Sequence, residues 1–215
     1  MRHWCVCLIL VAGCLTATVA GSQASVADDG LNVLRAYLDG LGTITADFRQ
    51  RIVDRDLEPI DDSSGRVILK KPGRFRWDYR EPYERVISAD GERVWLYEVD
   101  LEQVTIRRLD AGLGETPAAL LTGAADVLDH FDYRGSEVDG EIRWLRLEPR
   151  AAESDFSGIE LGFAGDDLRR IFLNDRLGQR TQIFLSNVDT ATAVTDEFFV
   201  FQVPEGVDVI DADNL

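Results

Sequence analysis

The sequence predicts an α+β protein built on one large, strongly curved antiparallel sheet of about 11 strands, with short helices covering its concave face. Three observations support this prediction. Segments that alternate apolar and polar residues follow one another from residue 48 to residue 203. Short links, some of them Asp-Gly or Pro-Gly, join these segments and favour antiparallel pairing. Two regions, residues 31–41 and 112–131, interrupt the alternation with helical patterns.

The first 24 residues have the composition of an export signal. A short basic start precedes an apolar run from Trp4 to Ala20, and Ser22-Gln23-Ala24 resembles a cleavage site. We therefore expect residues 1–24 to be removed, which leaves residues 25–215 as a single domain.

A second interpretation of the same segment concerns Cys14. The sequence Val11-Ala12-Gly13-Cys14 resembles the lipobox of bacterial lipoproteins, in which the cysteine is acylated. The apolar run continues past Cys14, as expected if cleavage occurs later.

The composition argues against several classes of function. The chain carries 39 Asp and Glu against 23 Lys and Arg, a formal net charge of −16, whereas nucleic-acid binding relies on basic residues. The same excess of acid disfavours binding to an anionic membrane surface. All three cysteines precede residue 15, and His130 is the only histidine after residue 3, so we expect no metal site and no cofactor.

An amphipathic helix of about three turns is predicted near the start of the domain. Asp28 or Asp29 can cap its beginning, and Gly40 and Gly42 mark its end. Four leucines at helical spacing form its apolar stripe: Leu31, Leu34, Leu38 and Leu41.

Strands are predicted on either side of a central helical region. The first group comprises residues 48–54, 65–71, 72–79, 85–89, 93–98 and 103–109. Two short helices are then expected, at residues 112–123 with Thr116 as cap and at residues 124–131. The second group comprises residues 131–135, 141–147, 158–163, 168–173, 181–187 and 198–203.

The segment PGRFRWDY, residues 72–79, alternates aromatic with charged side chains. A strand there places Phe75, Trp77 and Tyr79 on one face. Three interpretations fit this pattern: an ordinary half-buried strand, the wall of an apolar chamber, or a stacking platform for nucleic-acid bases. The net charge disfavours the third, and periodicity alone cannot distinguish the first two.

A family resemblance adds to this prediction. The run KKPGRFRWDYREPYERVISADGERVWLYEVDLEQVTIRRL, residues 70–109, resembles the periplasmic lipoprotein carriers of Gram-negative bacteria, the LolA family. Phe48-Arg49-Gln50, residues 116–121 and residues 201–209 resemble the same family. The resemblance implies an incomplete antiparallel β-barrel closed by α-helices, with a hydrophobic cavity that receives the acyl chains of lipoproteins.

Two sets of side chains are candidates for lipid binding in such a cavity. The wall candidates are Phe48, Val67, Leu69, Phe75, Trp77, Val94 and Leu96. The lid candidates are Leu31, Leu34, Leu38, Leu41, Leu120 and Leu121. The face chosen for residues 93–98 has an alternative, because Trp95 and Tyr97 also form an apolar pair.

Lys71 is the candidate lid latch. It occupies a position that is commonly arginine in the family, where the basic group reaches carbonyls of the lid helices. A lysine offers a compact ammonium in place of the planar arginine fork, so the resemblance does not determine the geometry of such a latch. The alternative is an ordinary solvated lysine at the end of a strand.

The resemblance implies a periplasmic chaperone that carries lipoproteins from an inner-membrane ABC-type release complex to an outer-membrane receptor. We expect a monomer without cofactor, metal or nucleic acid, and no enzymatic activity. Three alternatives are a receptor or sensor lipoprotein anchored through Cys14, a carrier of another lipid, and a carboxylate-based glycosidase. The glycosidase is disfavoured because most acidic residues lie at turns or on polar strand faces, and no nucleophile elbow or phosphate loop is present.

Overall fold

A single twelve-stranded sheet forms the framework of the protein in a computed structural model. The structure describes residues 29–109, 121–122, 127–152 and 154–214. An α-helix, α1, spans Gly30–Gly40 and precedes the sheet. The strands are β1 (Thr43–Val53), β2 (Pro59–Lys70), β3 (Arg74–Glu81), β4 (Arg85–Asp90), β5 (Arg93–Glu98), β6 (Gln103–Arg108), β7 (Phe131–Asp139), β8 (Ile142–Pro149), β9 (Phe156–Ala164), β10 (Asp167–Asp175), β11 (Arg180–Asp189) and β12 (Asp208–Asp211).

Two meanders joined at β1 make up the sheet. Its strand order is β12-β6-β5-β4-β3-β2-β1-β11-β10-β9-β8-β7. β1 pairs with β2 on one side and with β11 on the other, so the last hairpins of the chain extend the sheet from its first strand. β12 and β7 end the order at opposite edges, so the sheet is open. The large open sheet is therefore confirmed, with one strand more than expected.

The C-terminal segment differs from the prediction. The strand expected at residues 198–203 is wrong, because Asp196–Phe199 forms a 3₁₀ turn. Phe199 is fully buried there, and its carbonyl accepts a hydrogen bond of 2.8 Å from Ser88 Oγ on β4. The final strand, β12, comes later and pairs in parallel with β6, an exception to the predicted antiparallel order.

The strand register separates the sheet into two faces. Leu69 lies opposite Phe75, Phe75 opposite Ala89, and Ala89 opposite Val94, so these side chains share the concave face. They belong to one continuous buried core that also receives side chains from β8 to β11.

The outer face of β1 and β2 is polar. Arg49 and Arg51 on β1 both bind the Asp62 carboxylate on β2, at 2.8 and 3.0 Å. These two guanidinium groups lower the pKa of Asp62 to about 2.

Helix α1 packs on the concave face. Leu34 and Leu38, with Leu41 just beyond the helix, are buried in the core, whereas Leu31 is half-buried and lies outside it. The lid role expected for Leu31 therefore stays a prediction, and Leu31 is less buried than the other leucines of this stripe. Tyr37 packs edge-to-face against Phe163 on β9, with ring centroids 5.2 Å apart, and burial raises the pKa of its hydroxyl.

The start of α1 is held by an ion pair. Asp29 occupies the N-cap position, as predicted, but its side chain makes no capping hydrogen bond. It contacts Arg143 on β8 at 2.6 Å instead. A Cβ at Gly30 would lie 2.3 Å from the Tyr133 hydroxyl oxygen, so only glycine allows α1 to begin this close to β7.

The central helical region is described only in part. Residues 121–122 are helical and buried, and the rest of the helix predicted at 112–123, with Thr116 and Leu120, lies outside the described residues. A 3₁₀ turn at Val127–His130 stands where a second short helix was expected. Of the helices in the described ranges, none combines the length and the apolar character needed to span a membrane.

Candidate functional site

A cavity of about 250 Å³, here called the inner cavity, lies within the curve of the sheet. Its apolar lining comprises Phe75, Trp77, Ile87, Leu96, Phe156, Leu173 and Ile183. Its polar lining comprises Gln50, Tyr79, Arg85, Arg107 and Thr181. Strands from both meanders contribute, so the cavity depends on the curvature that brings β3–β6 towards β9–β11.

Cross-strand rows position this lining. Trp77 lies opposite Ile87, and Ile87 lies opposite Leu96, so adjacent strands present a continuous apolar row. Facing it, Ile183 on β11 lies opposite Ile171 on β10, within the same core.

The predicted wall residues all lie on the concave side. Phe75, Trp77 and Leu96 line the inner cavity. Phe48, Val67, Leu69 and Val94 are buried in the core beside it. Part of the concave face is thus filled by side chains, and part encloses a space.

The predicted lid residues divide in the same way. Leu34, Leu38, Leu41 and Leu121 are buried in the same core as the wall residues, while Leu31 is not part of it. Leu120 lies outside the described residues.

Trp95 and Tyr97 face the outer side of β5. Trp95 lies opposite Ser88, which binds the C-terminal segment, and the Tyr97 ring lies 5.6 Å from that of Phe201. Both faces of β5 are therefore covered. The pair Val94 and Leu96 lies on the concave side, and the pair Trp95 and Tyr97 lies on the outer side.

Lys71 lies where the wall meets the end of α1. Its ammonium donates a hydrogen bond to the Leu38 carbonyl, and its backbone N–H donates to the Gly42 carbonyl at 3.2 Å. The neighbouring Lys70 points to the opposite side, where its ammonium binds the Val194 carbonyl at 2.6 Å and Asp196 at 2.5 Å. Adjacent lysines thus hold segments on the two faces of the sheet.

A second, more open cavity of about 390 Å³, here called the outer cavity, adjoins the inner one. The two share Gln50, Tyr79 and Arg85. The outer cavity is acidic, and its carboxylates are Asp61, Glu84, Glu98 and Asp100.

The shared residues form a polar boundary between the two cavities. The Tyr79 hydroxyl donates to Gln50 Oε1 at 3.1 Å, and burial raises the pKa of Tyr79. The Arg85 guanidinium lies over the Tyr79 ring, 4.1 Å from its centroid. Arg85 Nε is buried and has no hydrogen-bond acceptor among the described residues.

Sequence reasoning did not identify Arg85, Ile87 or the lining residues from β9 to β11. The signal for Ile87 was present, because an Asp-Gly hairpin after β4 aligns Ile87 with Leu96. Phe156, Leu173 and Ile183 gave no such signal, since only the β1–β11 pairing brings their strands around to face β3.

The lining of the inner cavity suits the binding of an apolar molecule. Among the residues with described positions, no three His, Cys, Asp or Glu side chains are grouped so as to hold a metal ion. The inner cavity instead combines a mostly hydrocarbon wall with polar groups at one boundary.

Solved structures place this fold in a known class. The chain matches a LolA superfamily protein of Nitrosomonas europaea with a TM-score of 0.51 and 13% identity, covering 80% of this chain and 97% of that one. It also matches an uncharacterised conserved protein of Thermus thermophilus with a TM-score of 0.53 and 14% identity, covering 85% and 99%. The chain therefore shares the fold of these two structures, an open, curved antiparallel sheet.

Sequence comparison then identifies the family. Residues 39–202 match the model of the outer membrane lipoprotein carrier protein LolA family, and the chain belongs to that family. It is 39% identical over 182 residues to the outer-membrane lipoprotein carrier protein of Nitrosospira multiformis, covering 84% of this chain and 88% of that protein. It is 33% identical over 210 residues to the protein of the same name from Dechloromonas aromatica, covering 98% and 99%.

Proposed function

We propose that this protein is a periplasmic carrier that binds the acyl chains of lipoproteins between α1 and the concave face of the sheet. The observation that carries the proposal is the inner cavity, whose wall is mostly aromatic and aliphatic. Family membership supports it, because curated relatives are named outer-membrane lipoprotein carrier proteins.

The physical need for such a carrier follows from the hydration of hydrocarbon. Each methylene group exposed to water costs about 0.8 kcal/mol, so two or three acyl chains represent tens of kcal/mol. The wall and the leucines of α1 offer apolar surface that replaces part of the shelter of a bilayer.

In this proposal, the protein is described in a state in which its inner cavity is contracted. A volume of about 250 Å³ lies below the roughly 300–1,000 Å³ of pockets that enclose drug-sized ligands. Acyl chains would therefore enter as α1 moves away from the wall and exposes Leu34, Leu38 and Leu41. Lys71 restrains that movement through Leu38, so it acts as the latch. Cargo covers the exposed apolar surfaces again and shifts the population towards the open state.

In this proposal an inner-membrane ABC-type release complex loads the carrier and an outer-membrane receptor unloads it. The carrier works as a monomer and has no catalytic step. Its affinity for cargo must remain below that of the receptor, and a lid held by few polar contacts suits this requirement.

A test starts from the protein purified from the periplasm of cells that produce lipoproteins. We expect acylated lipoprotein to co-purify with the wild-type protein. Leu96→Glu, which adds a carboxylate to the inner cavity, should abolish co-purification, because a charge there disfavours contact with hydrocarbon. Mass spectrometry of the bound material measures both outcomes.

Val138→Glu is the matched control. Val138 lies on β7 and is 64% exposed, so the same charge there should leave co-purification unchanged. A folded Leu96→Glu variant that retains full cargo would overturn the assignment of this wall.

The tethered alternative rests on Cys14, outside the described residues. Intact-mass measurement of the protein from cells separates it from the soluble carrier. A chain that begins near Ser25 supports the carrier, and a chain that begins with acylated Cys14 supports a lipid-anchored receptor or sensor.

A further inference from the structure

The polar boundary of the inner cavity has an unusual charge arrangement for an apolar chamber. Arg85 and Arg107 both line the inner cavity, and its described lining includes no Asp or Glu. The four carboxylates of the region line the outer cavity instead. Arg85 belongs to the boundary formed by Gln50, Tyr79 and Arg85, so it lies between the acidic outer cavity and an inner cavity whose described lining has no carboxylate.

Arg85 has little internal compensation. No carboxylate in the described part of the chain forms an ion pair with it, and its neighbour there is Tyr79, whose ring lies under the guanidinium and whose hydroxyl lies beside it. The Nε–H at its edge is buried without an acceptor. A buried donor on a cation that lacks an acceptor is costly, and an anion at the edge of the guanidinium would satisfy it.

Arg85 lies on the same face of the sheet as the apolar row. Arg85 lies on β4 two residues before Ile87, so both side chains lie on the concave face. A molecule whose head contacts Arg85 would therefore extend its tail along Ile87, Trp77 and Leu96. Gln50 and Thr181 are further polar groups in the lining of the same cavity.

We propose that the inner cavity is a binding site for a single-chain amphiphile with an anionic head, specifically the carboxylate of a fatty acid, with Arg85 as the residue that recognises the head. A planar carboxylate fits the donor fork of arginine. The cavity volume of about 250 Å³ suits one short chain better than several. The proposal concerns a ligand other than lipoprotein and does not depend on lipoprotein carriage.

The test compares ligands that share a ten-carbon chain and differ in the head. Decanoate and decan-1-ol are titrated into delipidated protein by calorimetry, with sodium acetate as the head without a chain. We expect decanoate to bind at least about tenfold more tightly than decan-1-ol, as one hydrogen-bonded ion pair provides. Acetate alone should show no binding, which separates the fatty acid from a free carboxylate. Equal affinities of wild-type protein for decanoate and decan-1-ol would overturn the proposal without any variant.

Variants then assign the preference to Arg85. Arg85→Gln should bring the two affinities together, and Arg85→Lys should keep part of the preference because the charge remains. Arg93→Gln removes an exposed guanidinium from β5 and should leave the preference unchanged. A folded Arg85→Gln protein that retains the full preference would refute the role of Arg85.

Lipoprotein co-purification measured on the same proteins keeps the two proposals apart. If wild-type protein carries lipoprotein but does not distinguish decanoate from decan-1-ol, the fatty-acid site is refuted and the carrier function stands. If decanoate is preferred while lipoprotein is never recovered, the carrier function fails and the fatty-acid site stands.

Discussion

At the scale of single residues, the contact between Lys71 and α1 gives a direct prediction. Lys71→Ala removes the hydrogen bond to the Leu38 carbonyl, worth about 1 kcal/mol, and should shift the closed-to-open ratio of α1 by about fivefold. Binding of an apolar fluorescent dye, titrated at fixed protein concentration, measures the increase in exposed apolar surface. Lys71→Arg should restrain α1 again because it keeps a charged donor.

Lys70→Ala is the control for this experiment. Lys70 binds Val194 and Asp196 on the outer face, so its loss should leave dye binding to the concave face unchanged. Equal dye binding by Lys71→Ala and wild-type protein would remove Lys71 from the latch.

Gly65 determines how closely β3 approaches β2. A Cβ at this position would lie 1.9 Å from the Asp78 carbonyl oxygen and 3.0 Å from the Phe48 ring. Gly65→Ala should therefore lower the free energy of unfolding by about 1–3 kcal/mol, as overpacking typically does. Urea denaturation measures the change.

Gly42→Ala provides the comparison, because a Cβ built there meets no heavy atom within 4 Å among the described residues beyond its chain neighbours. Its denaturation midpoint should remain near that of wild-type protein. Coinciding midpoints for Gly65→Ala and Gly42→Ala would show that β3 can move away without cost.

At the scale of elements, ion pairs hold the C-terminal segment on the outer face of the sheet. Asp196 binds Lys70 at 2.5 Å and Arg74 at 3.4 Å, and the hydrogen bond from Lys70 lowers the pKa of Asp196 below its usual 3.8. A carboxylate with a lowered folded-state pKa adds stability above its unfolded-state pKa. That stability is lost as the pH falls through the folded-state pKa.

Asp196→Asn should therefore be less stable than wild-type protein near neutral pH, and the difference should shrink in acid. Urea midpoints of both proteins, measured from about pH 7 to about pH 3, follow this convergence. Asp166→Asn, at the exposed turn before β10, should match wild-type protein throughout. A difference that stays constant across this range would show that the Asp196 charge plays no part.

Element boundaries were predictable where one face of a strand is buried and the other is exposed. β3 alternates cleanly, and its aromatic face was predicted correctly. The first five residues of β1 were missed because Ile44, Thr45 and Ala46 are all buried, which removes the alternation. β5 was ambiguous for a similar reason, since Trp95 and Val94 are both buried.

At the scale of the whole molecule, pairings between distant segments escaped prediction. β12 is short and mostly exposed, and only its parallel pairing with β6 makes it a strand. The polar boundary of the cavity was missed because it combines Gln50 from β1, Tyr79 from β3 and Arg85 from β4. The apolar wall was more accessible to sequence reasoning, because most of its candidates lie in consecutive hairpins.

The two adjacent lysines also determine where the protein reacts with reagents that modify amines. Lys70 and Lys71 are the only lysines in the chain, and they hold opposite faces of the sheet. Timed reductive methylation thus modifies one dipeptide, apart from the α-amino group. The labelling rate of each ε-amine in a single proteolytic fragment reports separately on the release of α1 and on the release of the C-terminal segment.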